Sequence, residues 1–108
     1  MDAPVHFAEG RQTVDEIPLS SLTGEAVVID VSGKCAGNRD YLITAEDIQN
    51  WERANGDLQE NVIVFFRTGY GKFYPDREKY FGTAKRGANA LAELHFPGID
   101  SSATRYLV

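Results

Sequence analysis

Ala26-Val27-Val28-Ile29-Asp30-Val31 and Val62-Ile63-Val64-Phe65-Phe66 decide the fold. Each is a short continuous run of β-branched and apolar residues, the pattern of a strand buried on both faces. Between them Thr44 opens a helix. Thr44-Ala45-Glu46-Asp47 resembles a capping box, and Glu46 and Asp47 suit the positive end of the helix dipole. Ile48, Trp51 and Ala54 recur at helical spacing, with Trp51 on the buried stripe, and Asn55-Gly56 supplies a left-handed stop. A strand, a helix and a strand in this order have the length of a crossover unit. They predict parallel neighbours in an α/β sheet, with helix over 45–55 and strands near 26–31 and 62–66.

Ligands of such sheets gather beyond the carboxyl ends of the strands. Arg67-Thr68-Gly69-Tyr70-Gly71-Lys72 therefore marks a site edge, with Tyr70 as the side chain expected to face substrate. The glycines beside Lys72 match no P-loop or dinucleotide spacing, so a turn is expected here in preference to a phosphate cradle. Asp30 is the odd residue in its strand: either a buried network carboxylate, which needs partners, or the marker of the strand's exposed end, the reading we favour. Residues 8–24 read as loop with an extended piece around Ile17-Pro18-Leu19. Phe73 to Phe81 reads as a loop or lid with buried rings. Gly87 to His95 is expected to form a short helix using Ala88, Leu91, Ala92 and Leu94, with His95 a cap or surface group. Asp100 or Ser101 can cap a last helix over 101–108.

The chain has 108 residues, enough for one domain. Its hydrophobic and charged fractions, 43% and 25%, are those of a soluble globular protein. A formal net charge of -5 with dispersed basic residues gives no electrostatic footprint for nucleic acid. Cys35 is the only cysteine, which excludes an intrachain disulfide. It sits in the small-residue stretch Ser32 to Asn38, read as a loop, with Lys34 only a sequence neighbour; an inert thiol is expected. No window approaches a membrane span, and no secretory signal opens the chain. A cytoplasmic location is the default expectation.

The amino terminus carries the chemistry. In Asp2-Ala3-Pro4-Val5-His6-Phe7 a carboxylate and an imidazole stand four positions apart around a proline. Proline fixes its own φ and biases Ala3 towards extended backbone, which predicts a rigid extended turn and not a helix. Alone, Asp-x-x-x-His is a weak signal. The longer string Met1 to Phe7, followed by Glu9-Gly10, resembles the second half of the signature His-x-Gly-Thr-His-x-Asp-x-Pro-x-His. That signature belongs to the metal-dependent cyclase-like hydrolases, the family of bacterial kynurenine formamidases and isatin hydrolases. Asp2, Pro4 and His6 fall on its Asp, Pro and last His, and Met1 on the variable position before the Asp. The resemblance continues through Leu19 to Leu22, 26–31, Tyr41 to Asp47, Arg67 to Tyr70 and Pro97 to Asp100.

The resemblance implies an α/β domain of the cyclase-like, swivelling β/β/α type, with residues 1–108 as one partial domain. It implies a divalent metal, zinc or manganese, with Asp2 as a ligand. His6 would be the catalytic proton shuttle, since an imidazole can take and return a proton at neutral pH. The substrate would be a small aromatic amide, N-formylkynurenine- or isatin-like, which points to tryptophan catabolism, and a homodimer is possible. The departures matter too. The His-x-Gly-Thr-His half and the family's later His and Glu ligands are not in this sequence. A chain that starts inside a ligand motif and stops at Tyr106-Leu107-Val108 is expected to be part of a longer protein, inactive and weak in metal binding on its own. The alternative is a non-catalytic truncated member acting as a folded interaction module.

Overall fold

The computed structural model describes residues 2–108; Met1, set by the resemblance at the variable signature position, lies outside them. Strand β1 (Ala26–Asp30) pairs in parallel with β3 (Ile63–Arg67), in register from Ala26 opposite Ile63 to Asp30 opposite Arg67. Helix α2 (Ala45–Asn55) lies in the crossover between them, together with α1 (Ser32–Gly37) and the short strand β2 (Leu42–Ile43). Strand β2 pairs in parallel with β4 (Gly98–Ile99), and α4 (Ser101–Leu107) follows β4 and packs on α2. The remaining helix, α3 (Arg77–Phe81), packs against a 3-10 turn at Tyr70–Phe73. The expected α/β class and parallel pairing are therefore present.

Side chains on a strand alternate between faces, so one face of β1 and β3 carries Ile29, Val64 and Phe66. Ile29 joins Val31, Cys35, Ile43, Ile48, Tyr70 and Ala103 in the core, with Trp51, Val64 and Phe66 packed partly buried against it. The other face corrects the expectation of strands buried on both sides. Val28 and Phe65, which pair in register, are 54% and 56% exposed. An unbroken apolar run shows that a strand avoids water, but it does not supply the element that would cover the second face.

Helix α2 begins as its sequence dictates. Thr44 Oγ1 accepts from the Asp47 N–H, and the Asp47 carboxylate accepts from the Thr44 N–H, which closes the box on Asp47. Gly56 ends the helix at φ +94. Helix α4 starts at Asp100, whose carboxylate accepts from the N–H groups of Ser102 and Ala103. Two local readings are corrected. Residues 32–37 form α1 and not a loop; Asp30 Oδ1 accepts from the Ser32 N–H at 2.9 Å and starts the turn where β1 ends. The helix expected over 87–95 is a 3-10 segment, Ala88–Glu93, with only Ala90 buried and Leu91 70% exposed. Gly87 precedes it at φ +70 without a side-chain cap, and no apolar stripe is buried to sustain a full α-helix.

The amino-terminal arm also departs from expectation. Ala3 is extended, as proline requires, but Pro4–His6 form a single 3-10 turn. Further 3-10 turns at Val14–Glu16 and Leu19–Ser21 flank the extended pair Ile17 and Pro18. Among the described residues, no hydrogen bond or ion pair ties 2–24 to the rest of the chain. Phe73 to Phe81 is not all loop: Asp76 caps α3 by accepting from the Lys79 N–H. Within the stretch Tyr80 packs against the core while Tyr74 is 78% exposed, so the expected buried rings are only partly realised.

Candidate functional site

The carboxyl ends of β1 and β3 open into a pocket of about 490 Å³. Ser32 and Gly33 line it from the start of α1, and Thr68 and Gly69 from the turn after β3. Tyr70 and Phe73 form an aromatic wall, their rings edge to face with centroids 5.3 Å apart. Gly69 turns the chain here at φ +77, and a Cβ on it would stand 3.3 Å from the Ser32 Cβ. Only glycine meets both demands without strain. Tyr70, singled out from the sequence as the substrate-facing residue, thus lines a pocket while its ring is largely buried.

Cys35 also reaches this pocket. Burial, then the charges of Asp47 and Asp30, push its thiol pKa up, which favours the protonated form. Ala36, Lys72 and Arg39 complete the lining; the Arg39 side chain is the one held in place by the fold. Its guanidinium carbon lies 5.7 Å from the Tyr70 ring centroid. Its Nε donates to the His95 carbonyl at 2.8 Å, and its Nη2 donates to the carbonyls of Lys79 and Glu78. No carboxylate lines the pocket.

Beneath the α1 side lies an ionic network that single residues of the sequence did not disclose. The Asp47 side chain is 2% exposed and accepts from Lys34 Nζ at 2.5 Å, Tyr41 Oη at 2.7 Å, the Thr44 N–H at 2.8 Å and Thr44 Oγ1 at 3.1 Å. Burial alone would raise its pKa. The Lys34 ammonium, the Thr44 N–H, the Tyr41 hydroxyl and the Thr44 hydroxyl outweigh that and hold it at about 2. The capping-box pattern pointed to Asp47; nothing along the chain pointed to Lys34 or Tyr41.

Asp2 and His6 are exposed and line no part of the pocket. His6 stacks edge to face on Phe7 at 5.0 Å, and no ion pair joins it to Asp2. A carboxylate and an imidazole are donors of the kind that zinc or manganese takes. Two donors do not close such a site, however, and no group of three His, Cys, Asp or Glu among the described residues could hold a metal ion. The described residues therefore do not fit a metal by themselves. His95 pairs through Nδ1 with Asp40 at 2.9 Å, in keeping with a surface group. No helix among the described residues is long and apolar enough to cross a membrane.

Comparison with known proteins covers almost the whole chain. The family model described as Putative cyclase matches residues 1–108. The isatin hydrolase of Roseibium aggregatum is 29% identical over an alignment of 111 residues that covers 99% of this chain and 40% of that protein. The crystal structure of an isatin hydrolase bound to the product analogue thioisatinate superposes with a TM-score of 0.80 at 29% identity. Isatin hydrolase A from Ralstonia solanacearum does so with a TM-score of 0.78 at 30% identity. Each structural match covers 98% of this chain and 40% of the other, so the chain spans about 40% of the length of these relatives.

Proposed function

Because this chain belongs to the cyclase family and has the isatin hydrolase fold over its length, we propose that it provides the aromatic-walled pocket and the proton-transfer group of an amide hydrolase. The substrate class is a small aromatic amide: a cyclic one of isatin type, or an N-formyl arylamine such as N-formylkynurenine. The observation that carries the reading is the Tyr70–Phe73 pocket at the carboxyl ends of two parallel strands. Its volume suits one small arene, and its fold context is that of enzymes named for isatin hydrolysis.

In the proposed reaction a water oxygen bonds to the amide carbonyl carbon and the carbon–nitrogen bond breaks. His6 takes the proton from the water and returns it to the leaving nitrogen, giving a carboxylic acid and an aromatic amine. His6 is exposed on a proline-started turn and lines no part of the pocket, so this role rests on the family signature and not on the pocket's geometry. Tyr70 would bind the arene face of the substrate. Asp2 is proposed as a ligand of zinc or manganese, with its companion donors not among the described residues; no step is derived through the ion.

The test is turnover by the full-length protein that contains this chain, since the 108 residues alone are expected to be inactive: of isatin, followed by loss of ring absorbance, and of N-formylaniline. His6→Ala should cut turnover roughly 10²- to 10⁴-fold, the worth of a positioned acid–base group, with an unchanged circular dichroism spectrum. Failure on both substrates refutes the hydrolase. Undiminished turnover by the variant refutes the shuttle.

A further inference from the structure

We propose that Arg39 is a positioning residue for the Tyr70 pocket: it clasps the end of α3 and the segment around His95 against the pocket wall that Tyr70 forms. The inference rests on the hydrolase reading for its kinetic consequence, though not for its structural one.

Three stretches remote in sequence meet at this one side chain. From the turn that follows α1, Arg39 reaches the carbonyls of Glu78 and Lys79 in α3, and that of His95 beyond the 3-10 segment Ala88–Glu93. A carbonyl oxygen has two lone pairs, so that of Glu78 can accept from the Gly82 N–H and from Arg39 alike, and a guanidinium is the donor group suited to several such oxygens at once. The same cation lies near the Tyr70 ring, where it is attracted to the aromatic π-system. Neighbouring bonds show what the clasp secures. The His95 N–H donates to the Phe81 carbonyl at 2.8 Å, and the Gly82 N–H to the Glu78 carbonyl at 2.9 Å. Phe81 stacks on Phe96 with ring centroids 5.8 Å apart. In turn, α3 packs on the 3-10 turn Tyr70–Phe73 that carries both rings of the pocket wall. Freed from Arg39, α3 loses its polar link to the α1 side of the pocket, and residues 93–96 keep, among the described residues, only the His95–Asp40 pair.

The fork and not the charge is decisive. Lysine would keep a cation near Tyr70, but its single ammonium on a flexible stem cannot reproduce the planar set of donors. Arg39→Lys is therefore expected to behave like Arg39→Ala.

Hydrogen exchange of the purified protein and both variants tests the clasp directly. The amides of Gly82 and His95 should exchange roughly tenfold faster in each variant, the loss of about one or two hydrogen bonds' protection, while β1 and β3 keep wild-type rates. In the full-length protein with isatin as the probe, KM should rise about tenfold with kcat held within about twofold, the signature of lost binding geometry rather than lost chemistry. Unchanged exchange at Gly82 and His95 in Arg39→Ala overturns the proposal. So does faster exchange throughout β1 and β3, which would make Arg39 a general stability residue. Recovery of wild-type values by Arg39→Lys would leave charge alone as the cause and overturn the fork. A fall in kcat at constant KM would move Arg39 into the chemistry and overturn the positioning role. If the wild-type protein leaves isatin intact, the hydrolase reading falls, and the exchange rates still judge the clasp.

Discussion

Replacing Asp47 with asparagine removes one negative charge and almost no volume from a carboxylate with four hydrogen-bond donors around it. The carboxylate is 2% exposed and faces the Lys34 ammonium, the Tyr41 hydroxyl and both the N–H and hydroxyl of Thr44. Its pKa falls from 3.8 to about 2 in the folded chain. Because the folded value is the lower one, folding favours the ionised form. The contribution is fully present above pH 3.8 and is lost as pH falls towards 2. A shift of that size corresponds to about 2 kcal/mol at neutral pH and roughly half of it at pH 3. Asparagine forfeits this and also turns an amide donor towards groups that themselves donate. Lys34, half exposed, can return to water, which caps the penalty. The expected cost at pH 7 is therefore about 2–3 kcal/mol. For a domain of this length that lowers Tm by roughly 10–20 °C. Urea unfolding followed by the single tryptophan, Trp51 on α2, measures it. Other carboxylates also titrate in this range, but they cancel in the difference between wild type and variant. That difference should shrink by about half between pH 6 and pH 3. A gap below about 0.5 kcal/mol at pH 7, or one that stays constant down to pH 3, refutes the account.

Three further outcomes follow from the same structure. Ile29→Ala should cost about 2–5 kcal/mol in urea unfolding because it hollows the core, whereas Phe65→Ala on the uncovered sheet face should cost less than half as much; equal costs would mean that the Phe65 face is covered in solution. Gly82→Ala should destabilise by more than about 1 kcal/mol, since φ is +87 and the new Cβ would sit 2.9 Å from the His95 Cβ; a neutral result in thermal melts would show that the turn relaxes freely. In equilibrium dialysis the 108-residue chain should take up zinc and manganese weakly, since Asp2 and His6 are joined by no third described donor; tight one-to-one uptake would contradict the donor count.

The fold was legible where one stretch of sequence contains its own cause. Parallel β1 and β3, α2 with its box and glycine stop, and α4 behind Asp100 all arise from residues adjacent along the chain. Helix α1 was hidden because Ser32-Gly33-Lys34-Cys35-Ala36-Gly37 has two glycines and no capping side chain; it forms because β1 delivers Cys35 into the core and Asp30 turns the chain. The segment at 88–93 misled in the opposite way, offering helical spacing but no surface on which to bury it.

The candidate site divides along the same physical line. Tyr70 could be found because a strand's carboxyl end and a following glycine turn locate a pocket edge by topology. Asp2 and His6 could be found only through a signature, since their exposed arm makes no polar bond to the body that could mark them as a centre. Arg39 and Lys34 could not be found at all. Their partners stand 39 to 56 positions away in the first case and 13 in the second, and a surface cation with no local partner looks the same in sequence whether it is solvated or clasped. Asp47 shows why the distinction matters. A carboxylate at that position of a capping box needs only one backbone N–H to explain it, yet the fold adds a lysine, a tyrosine and a threonine hydroxyl and withdraws the water. Local pattern accounts for the cap, and the burial that gives the cap its pH dependence is a property of the assembled α1–α2 contact.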